Sequence, residues 1–99
     1  MIITYEMLVN EFFNLSTGHI VLVGKIMPDL DKFISTTKAD LYIGKEKIKT
    51  INILGEDRFS GGNEEKRKGL RVLRTTNDIV NELNAKGDKP IKLVIYIEN

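Results

Sequence analysis

The sequence predicts an α+β, mainly β fold: a small, closed or partly closed antiparallel β-barrel of five or six strands. Several short stretches alternate apolar and polar residues, as half-buried strands do. Short, turn-rich connections between successive strands favour antiparallel pairing. The 99 residues, 41% of them hydrophobic, suit one core in a single domain, 1–99. Short twisted strands around one core usually close, at least in part, into a barrel.

The first element is predicted to be an amphipathic helix over "TYEMLVNEFFNLSTG", 4–18. Apolar residues recur there at helical spacing, namely Tyr5, Leu8, Val9, Phe12 and Leu15. Thr4 can cap the start of such a helix, and Gly18 can follow its end.

A strand is predicted next over "HIVLVGKI", 19–26. The run is continuously apolar and rich in valine and isoleucine, which indicates burial on both faces. Gly24 interrupts the run and indicates a bulge or a close approach of two backbones. Pro28 has no N–H to donate to a sheet, so we expect the strand to end before it.

A β-hairpin follows, formed by "ADLYIG" and "KIKTINILG" on either side of a tight turn after Gly44. Beyond a charged loop, "GLRVLR" predicts a further strand with Leu70 and Val72 facing inward. "TTNDIVNELNAKG" predicts a second helix, with Thr75 and Asp78 as a capping box and Gly87 at its end.

The last predicted strand lies in "KPIKLVIYIEN", where alternate isoleucine and leucine residues form one apolar face. Its other face carries Lys92, Val94 and Tyr96. If that face is uncovered, it indicates a partner surface or a homodimer edge. We expect instead that the N-terminal helix covers it, because that helix has an apolar stripe of its own to bury.

Composition restricts the classes of function. The 15 Lys and Arg residues nearly balance 14 Asp and Glu residues, whereas most nucleic-acid-binding proteins have a clear basic excess. The chain has no cysteine, which excludes thiolate metal sites and cysteine nucleophiles and fits a cytoplasmic location. No apolar run reaches the length of a membrane span, so we expect no membrane association.

The sequence offers little for catalysis, and an enzyme ranks last among the classes considered. His19 is the only histidine, and no serine or threonine lies in a nucleophile motif beside it. The clustered carboxylates, such as Asp29 and Asp31, lack the pattern of a calcium loop and are interpreted as solvated turn residues. Gly61 and Gly62 lead into a strand rather than a helix, which favours a hairpin tip over a phosphate site. No cofactor, metal ligand or catalytic residue is therefore assigned.

A basic segment at 58–74 is the candidate binding surface. Six of the fifteen cationic residues fall within these 17 positions. Barrels that bind single-stranded nucleic acid combine a cationic groove with aromatic platforms. Against this, four acidic residues share the same loop. The candidate residues are Arg58, Phe59, Lys66, Arg67, Lys68, Arg71 and Arg74.

Three stretches, "IVLVGKI", "ADLYIGKEKIKTINI" and "LNAKGDKPIKLVIY", together resemble the β-barrel second domain of translational GTPases such as elongation factor Tu. Gly24, Lys25 and Ile26 match a G-[RK]-[IV] strand, and Gly87 with Asp88 matches a "GD" segment before the final strand. The chain departs from that pattern at Pro28, and it has no Walker-type loop. The resemblance covers about residues 19 to 97 and implies a non-catalytic docking module.

Two hypotheses of function follow. The first is a non-catalytic barrel that binds a macromolecular partner, with protein favoured and a homo-oligomer included. The alternative is binding of RNA or single-stranded DNA through the basic segment 58–74.

Overall fold

The computed structural model describes residues 1–28, 33–57, 67–74 and 79–98, without the side chains of 57 and 67. Six antiparallel strands form a closed barrel in the order β1-β2-β5-β4-β3-β6, and β6 pairs back onto β1. The strands are β1 (Ile2–Asn14), β2 (His19–Met27), β3 (Thr37–Ile43), β4 (Glu46–Asp57), β5 (Arg67–Leu73) and β6 (Ile91–Glu98). One short helix, α1 (Val80–Asn84), precedes β6. The predicted antiparallel barrel is confirmed.

The predicted N-terminal helix is wrong, because the same residues form strand β1. The sequence there also alternates with the period of a strand: Met7 and Val9 are buried, whereas Leu8 is 53% exposed. β1 pairs with β2 on one side and with β6 on the other. Hydrogen bonding to two neighbours and closure of the barrel outweigh the local helical spacing.

Gly24 marks a close approach of two backbones, as its place in an apolar run predicts. A Cβ atom at this position would lie 2.0 Å from the carbonyl oxygen of Leu8 on β1. The register between β1 and β2 shifts between Val9 and Glu11, directly after the pair that Val9 makes with Gly24. β1 therefore bulges beside Gly24 of its partner strand β2, and only glycine fits opposite the bulge.

The other predicted strands are present, and their bounds differ from the predicted ones by one to a few residues. β2 ends at Met27, directly before Pro28, and the hairpin is formed by β3 and β4. The second helix is confirmed only in part, since α1 has five residues instead of the predicted turns from Thr75 to Gly87. Its predicted capping box, together with the loop at 58–66, lies outside the described residues.

The core fills the barrel and is closed at both ends. Inward-facing residues of all six strands form one apolar cluster, and Ile34, Ile79 and Leu83 join it from outside the strands. Ile34 lies just before β3 begins, whereas Ile79 and Leu83 lie at α1, before β6 begins. Since β3 and β6 are antiparallel neighbours, these two sets of residues cover opposite ends of the barrel.

The outer face of β6 does not have the predicted helical cover. α1 packs at one end of the barrel, and the segment expected to form the covering helix is instead the neighbouring strand β1. Lys92, Val94 and Tyr96 point outward and remain half-buried between the side chains of adjacent strands. Because β6 pairs with both β1 and β3, it has no free edge, so a partner can reach only its face.

Candidate functional site

The structure describes only part of the predicted basic surface. Arg58, Phe59 and Lys66 lie outside the described residues, and Arg67 begins β5 with a side chain that is not described. Lys68, Arg71 and Arg74 are the members of the predicted surface whose side chains can be placed.

Lys68 forms an ion pair at one end of the barrel. Its Nζ atom donates to Glu56 Oε1 at 2.8 Å, and the two side chains are only 14% and 16% exposed. The same carboxylate oxygen accepts the backbone N–H of Ile34 at 3.1 Å. Lys68 therefore helps to fix the segment that closes the barrel at Ile34 and offers little of its charge to a ligand.

Arg71 and Arg74 lie toward the opposite end of β5. Arg71 alternates with the buried residues Leu70 and Val72, and is half-buried on the outer face, as predicted. Arg74 donates from Nη1 to Asn14 Oδ1 at 2.6 Å, and its backbone N–H donates to Gly18. Arg74 therefore braces the turn between β1 and β2.

A groove of about 590 Å³ lies elsewhere, along the outer face of β3 and its neighbours β4 and β6. Asp40, Thr50 and Tyr96 form its floor, one from each of these three strands. The sequence analysis did not assign this site.

The floor of the groove is a hydrogen-bonded network around Asp40. Asp40 is 6% exposed, and it is the one buried charged residue in the described part of the chain. Thr50 Oγ1 donates to Asp40 Oδ1 at 2.6 Å, and the Tyr96 hydroxyl donates to Oδ2. Lys47 Nζ lies 3.5 Å from Oδ1. A buried carboxylate is stable here because both of its oxygens accept hydrogen bonds from neighbouring strands.

The network shifts the pKa values of both ionisable groups that it joins. The hydrogen bonds from Thr50 and Tyr96, together with the charge of Lys47, lower the pKa of Asp40 although burial opposes them. The hydrogen bond to Asp40 raises the pKa of the Tyr96 hydroxyl, because that hydroxyl must keep its proton to donate. At neutral pH the groove therefore contains an ionised carboxylate and a neutral phenol.

Acid unfolding is expected to depend on Asp40. Because its folded pKa lies below the unfolded value of about 3.9, its contribution to stability is present above that value and is lost as pH falls through the folded pKa. We predict that the free energy of unfolding declines less between pH 4 and pH 2 in Asp40→Asn than in the wild type. Urea unfolding at a series of pH values measures this. Equal slopes in the two proteins would contradict the described network.

The walls of the groove differ in chemistry along its length. Lys38 is exposed beside the floor, whereas Lys47, which is 51% exposed, lies within ion-pair distance of Asp40. At the other end, Ile2 and Phe33 are both exposed apolar side chains, at 63% and 59%, and Glu98 lies beside Ile2. The groove thus combines accessible positive charge with an apolar end.

The comparisons with known proteins add no relative. No protein-family model, curated protein or solved structure matches this chain. The resemblance to the second domain of translational GTPases stays a prediction from the sequence.

The described residues include no group of three or more His, Cys, Asp or Glu side chains that could hold a metal ion. His19 Nδ1 lies 3.0 Å from Thr17 Oγ1 in an exposed turn. No helix in the described part of the chain is long and apolar enough to cross a membrane.

Asp40 is not among the carboxylates singled out from the sequence, because those occur in clusters. Asp40 stands alone between Ala39 and Leu41, and its partners are 10 and 56 residues away. One signal was present: an acidic residue on the outer face of a hairpin strand, with Thr50 on the partner strand. Linking it to Tyr96 required the pairing of β3 with β6.

Proposed function

We propose that this chain is a non-catalytic β-barrel module that binds a protein partner through the outer face of β3 and β6. The groove over Asp40 is the observation that carries the proposal. Its volume is that of a ligand-sized cleft with a few placed polar groups, and the exposed side chains of Ile2 and Phe33 at one end give it apolar surface for a partner. A cytoplasmic location belongs to the same proposal and rests on the absence of cysteine.

The surface beside the groove supports a protein partner. Leu8 is exposed on β1 next to Lys92 of β6, and Lys92 lies over the ring of Tyr42 with Nζ 5.3 Å from its centre. Lys92 also lies 3.8 Å from Glu6. Mixed charges around apolar and aromatic side chains are usual at the rims of protein–protein interfaces.

Binding of RNA or single-stranded DNA through residues 58–74 remains the second candidate. Its support is the density of basic residues in that segment, with Arg71 on the outer face of β5. The ion pair of Lys68 with Glu56 and the hydrogen bond of Arg74 to Asn14 weigh against it, since both cations already serve the fold.

Photo-crosslinking in extracts of the source cells tests the proposal. A photo-reactive phenylalanine analogue at Leu8, beside the proposed face, is expected to crosslink to a protein. The same analogue at Phe13, also exposed on β1 but five residues further along, is the matched control and is expected to give less product.

Digestion of the crosslinked product separates the two candidates. A product from position 8 that protease removes and nuclease leaves intact supports a protein partner. Equal crosslinking from both positions, or a product that nuclease removes, would contradict the proposal. If nuclease removes the product, a labelled oligonucleotide titrated at two salt concentrations should bind the Arg71→Glu variant more weakly than the wild type.

A further inference from the structure

We infer that the groove over Asp40 binds an uncharged segment of the partner protein, whose Asn or Gln side chains donate hydrogen bonds to the floor of the groove. This inference rests on the proposed function and specifies the chemistry of the partner.

The described residues that line the groove carry balanced charge. Two are cations, Lys38 and Lys47, and two are anions, Asp40 and Glu98. Lys47 Nζ lies 3.5 Å from the Asp40 carboxylate, so these two charges already offset each other. A ligand with a net charge of either sign would bring an excess of charge to this groove, whereas an uncharged segment would not.

Four hydroxyl groups in the groove already donate their protons within the fold. Thr36 Oγ1 donates to a backbone carbonyl oxygen of β4 at 3.0 Å, and Thr37 Oγ1 donates to a backbone carbonyl oxygen of β6. The hydroxyls of Thr50 and Tyr96 donate to the two oxygens of Asp40. Carbonyl and ionised carboxylate oxygens can only accept, so the direction of each of these hydrogen bonds is fixed.

These four hydroxyl oxygens therefore offer a ligand lone pairs and no proton. A threonine hydroxyl has one proton to donate and two lone pairs that accept. A hydroxyl that donates to a carboxylate is also polarised, which makes its oxygen a stronger acceptor. Thr50 and Tyr96 have this arrangement beside Asp40, and Thr50 is exposed. The floor is thus complementary to a group that brings N–H or O–H donors.

A carboxamide side chain supplies such donors without adding charge. The NH2 group of Asn or Gln has two donors, and its carbonyl oxygen can accept a hydrogen bond from the exposed ammonium of Lys38. An ionised Asp or Glu side chain of the same shape brings only acceptors, which would face the oxygens of Thr50 and Tyr96. A Lys or Arg side chain brings donors, but the ammonium groups of Lys38 and Lys47 would repel it.

The closed barrel leaves this recognition to side chains. β3 pairs with β4 on one side and with β6 on the other, so the groove offers no free strand edge for added main-chain hydrogen bonds. Because the contact depends on hydrogen bonds to an uncharged segment, the affinity should change little with salt concentration.

Selection from a random heptapeptide library displayed on phage tests the inference. The immobilised 99-residue protein is expected to enrich peptides that contain Asn or Gln and few charged residues. In a synthetic peptide of the selected sequence, Asn or Gln is then replaced by the acid of the same shape, Asp or Glu. This replacement is expected to weaken binding at least about tenfold, because the donors are lost and the acceptors of the floor are left unpaired.

Variants of Thr50 test whether the peptide lies in the groove. Thr50→Val removes the acceptor oxygen and is expected to bind the peptide about tenfold more weakly, whereas Thr50→Ser keeps the oxygen and should bind as the wild type does. Thr17→Val is the matched control, because Thr17 is exposed in the turn between β1 and β2, at the opposite end of the barrel. It should bind as the wild type does, and circular dichroism should show that all three variants keep the fold.

Enrichment of peptides rich in acidic or basic residues, no enrichment, or equal binding of the amide and acid forms of the peptide would overturn the inference. Unchanged binding by Thr50→Val would also overturn it. If one of these results occurs while protein crosslinking at Leu8 persists, the proposed function stands and only the uncharged, hydrogen-bond-donating chemistry is refuted.

Discussion

Replacing Gly24 with alanine is expected to destabilise the barrel by about 3 kcal/mol, at the upper end of the cost of overpacking. The added Cβ atom would lie 2.0 Å from the carbonyl oxygen of Leu8 and 2.8 Å from its carbonyl carbon. Both are backbone atoms, so no rotamer change relieves the clash, and β1 would have to move away from β2. Urea unfolding followed by far-ultraviolet circular dichroism measures the loss.

Gly18→Ala is the control for this variant. Gly18 has a φ angle of +88°, but a Cβ atom there meets nothing within 4 Å. Its replacement therefore carries only the backbone cost of a left-handed conformation, about 1–2 kcal/mol. A smaller loss of unfolding free energy in Gly24→Ala than in Gly18→Ala would contradict the close approach of the β1 and β2 backbones.

Met7→Ala is expected to cost about 2–5 kcal/mol, whereas Leu8→Ala should change stability by less than about 0.5 kcal/mol. Met7 is fully buried and pairs with Leu93 and Ile26 on the two strands beside β1. Leu8, its neighbour in sequence, points outward and is 53% exposed.

This pair of variants distinguishes the strand from a helix over the same residues. In a helix with Tyr5, Leu8 and Phe12 on its buried stripe, Leu8→Ala would be the costly change and Met7→Ala the mild one. Chemical denaturation of both variants measures the order, and the reverse order would contradict the assignment of β1 as a strand.

The sequence was sufficient to predict the elements that a single local pattern governs. β2, the β3–β4 hairpin and β6 each show the alternation or apolar run of a strand, bounded by turn residues. β1 could not be predicted in this way, because "TYEMLVNEFF" satisfies both a helical and an extended period over part of its length. Whether this segment forms a helix or a strand depends on whether neighbouring strands are available on both sides, and the closed barrel provides them.

The candidate site shows the same division. The outward position of Lys92, Val94 and Tyr96 follows from alternation alone. The groove does not, since Asp40, Thr50 and Tyr96 meet only through the register of three strands. The density of basic residues predicted a binding surface at 58–74. Two of its described members, Lys68 and Arg74, instead form contacts that stabilise the fold. Proximity in sequence was therefore a weaker guide to the site than cross-strand pairing.

The most direct test of the proposed binding face is a chemical-shift map in solution. Isotope-labelled protein would be titrated with the partner identified by crosslinking, and the backbone amide signals followed. We expect the largest changes in the amide signals of Lys38, Asp40, Lys47 and Tyr96, and little change in those of Arg71 and Arg74. Changes centred on Arg71 and Arg74, with the groove over Asp40 unaffected, would contradict the proposed binding face.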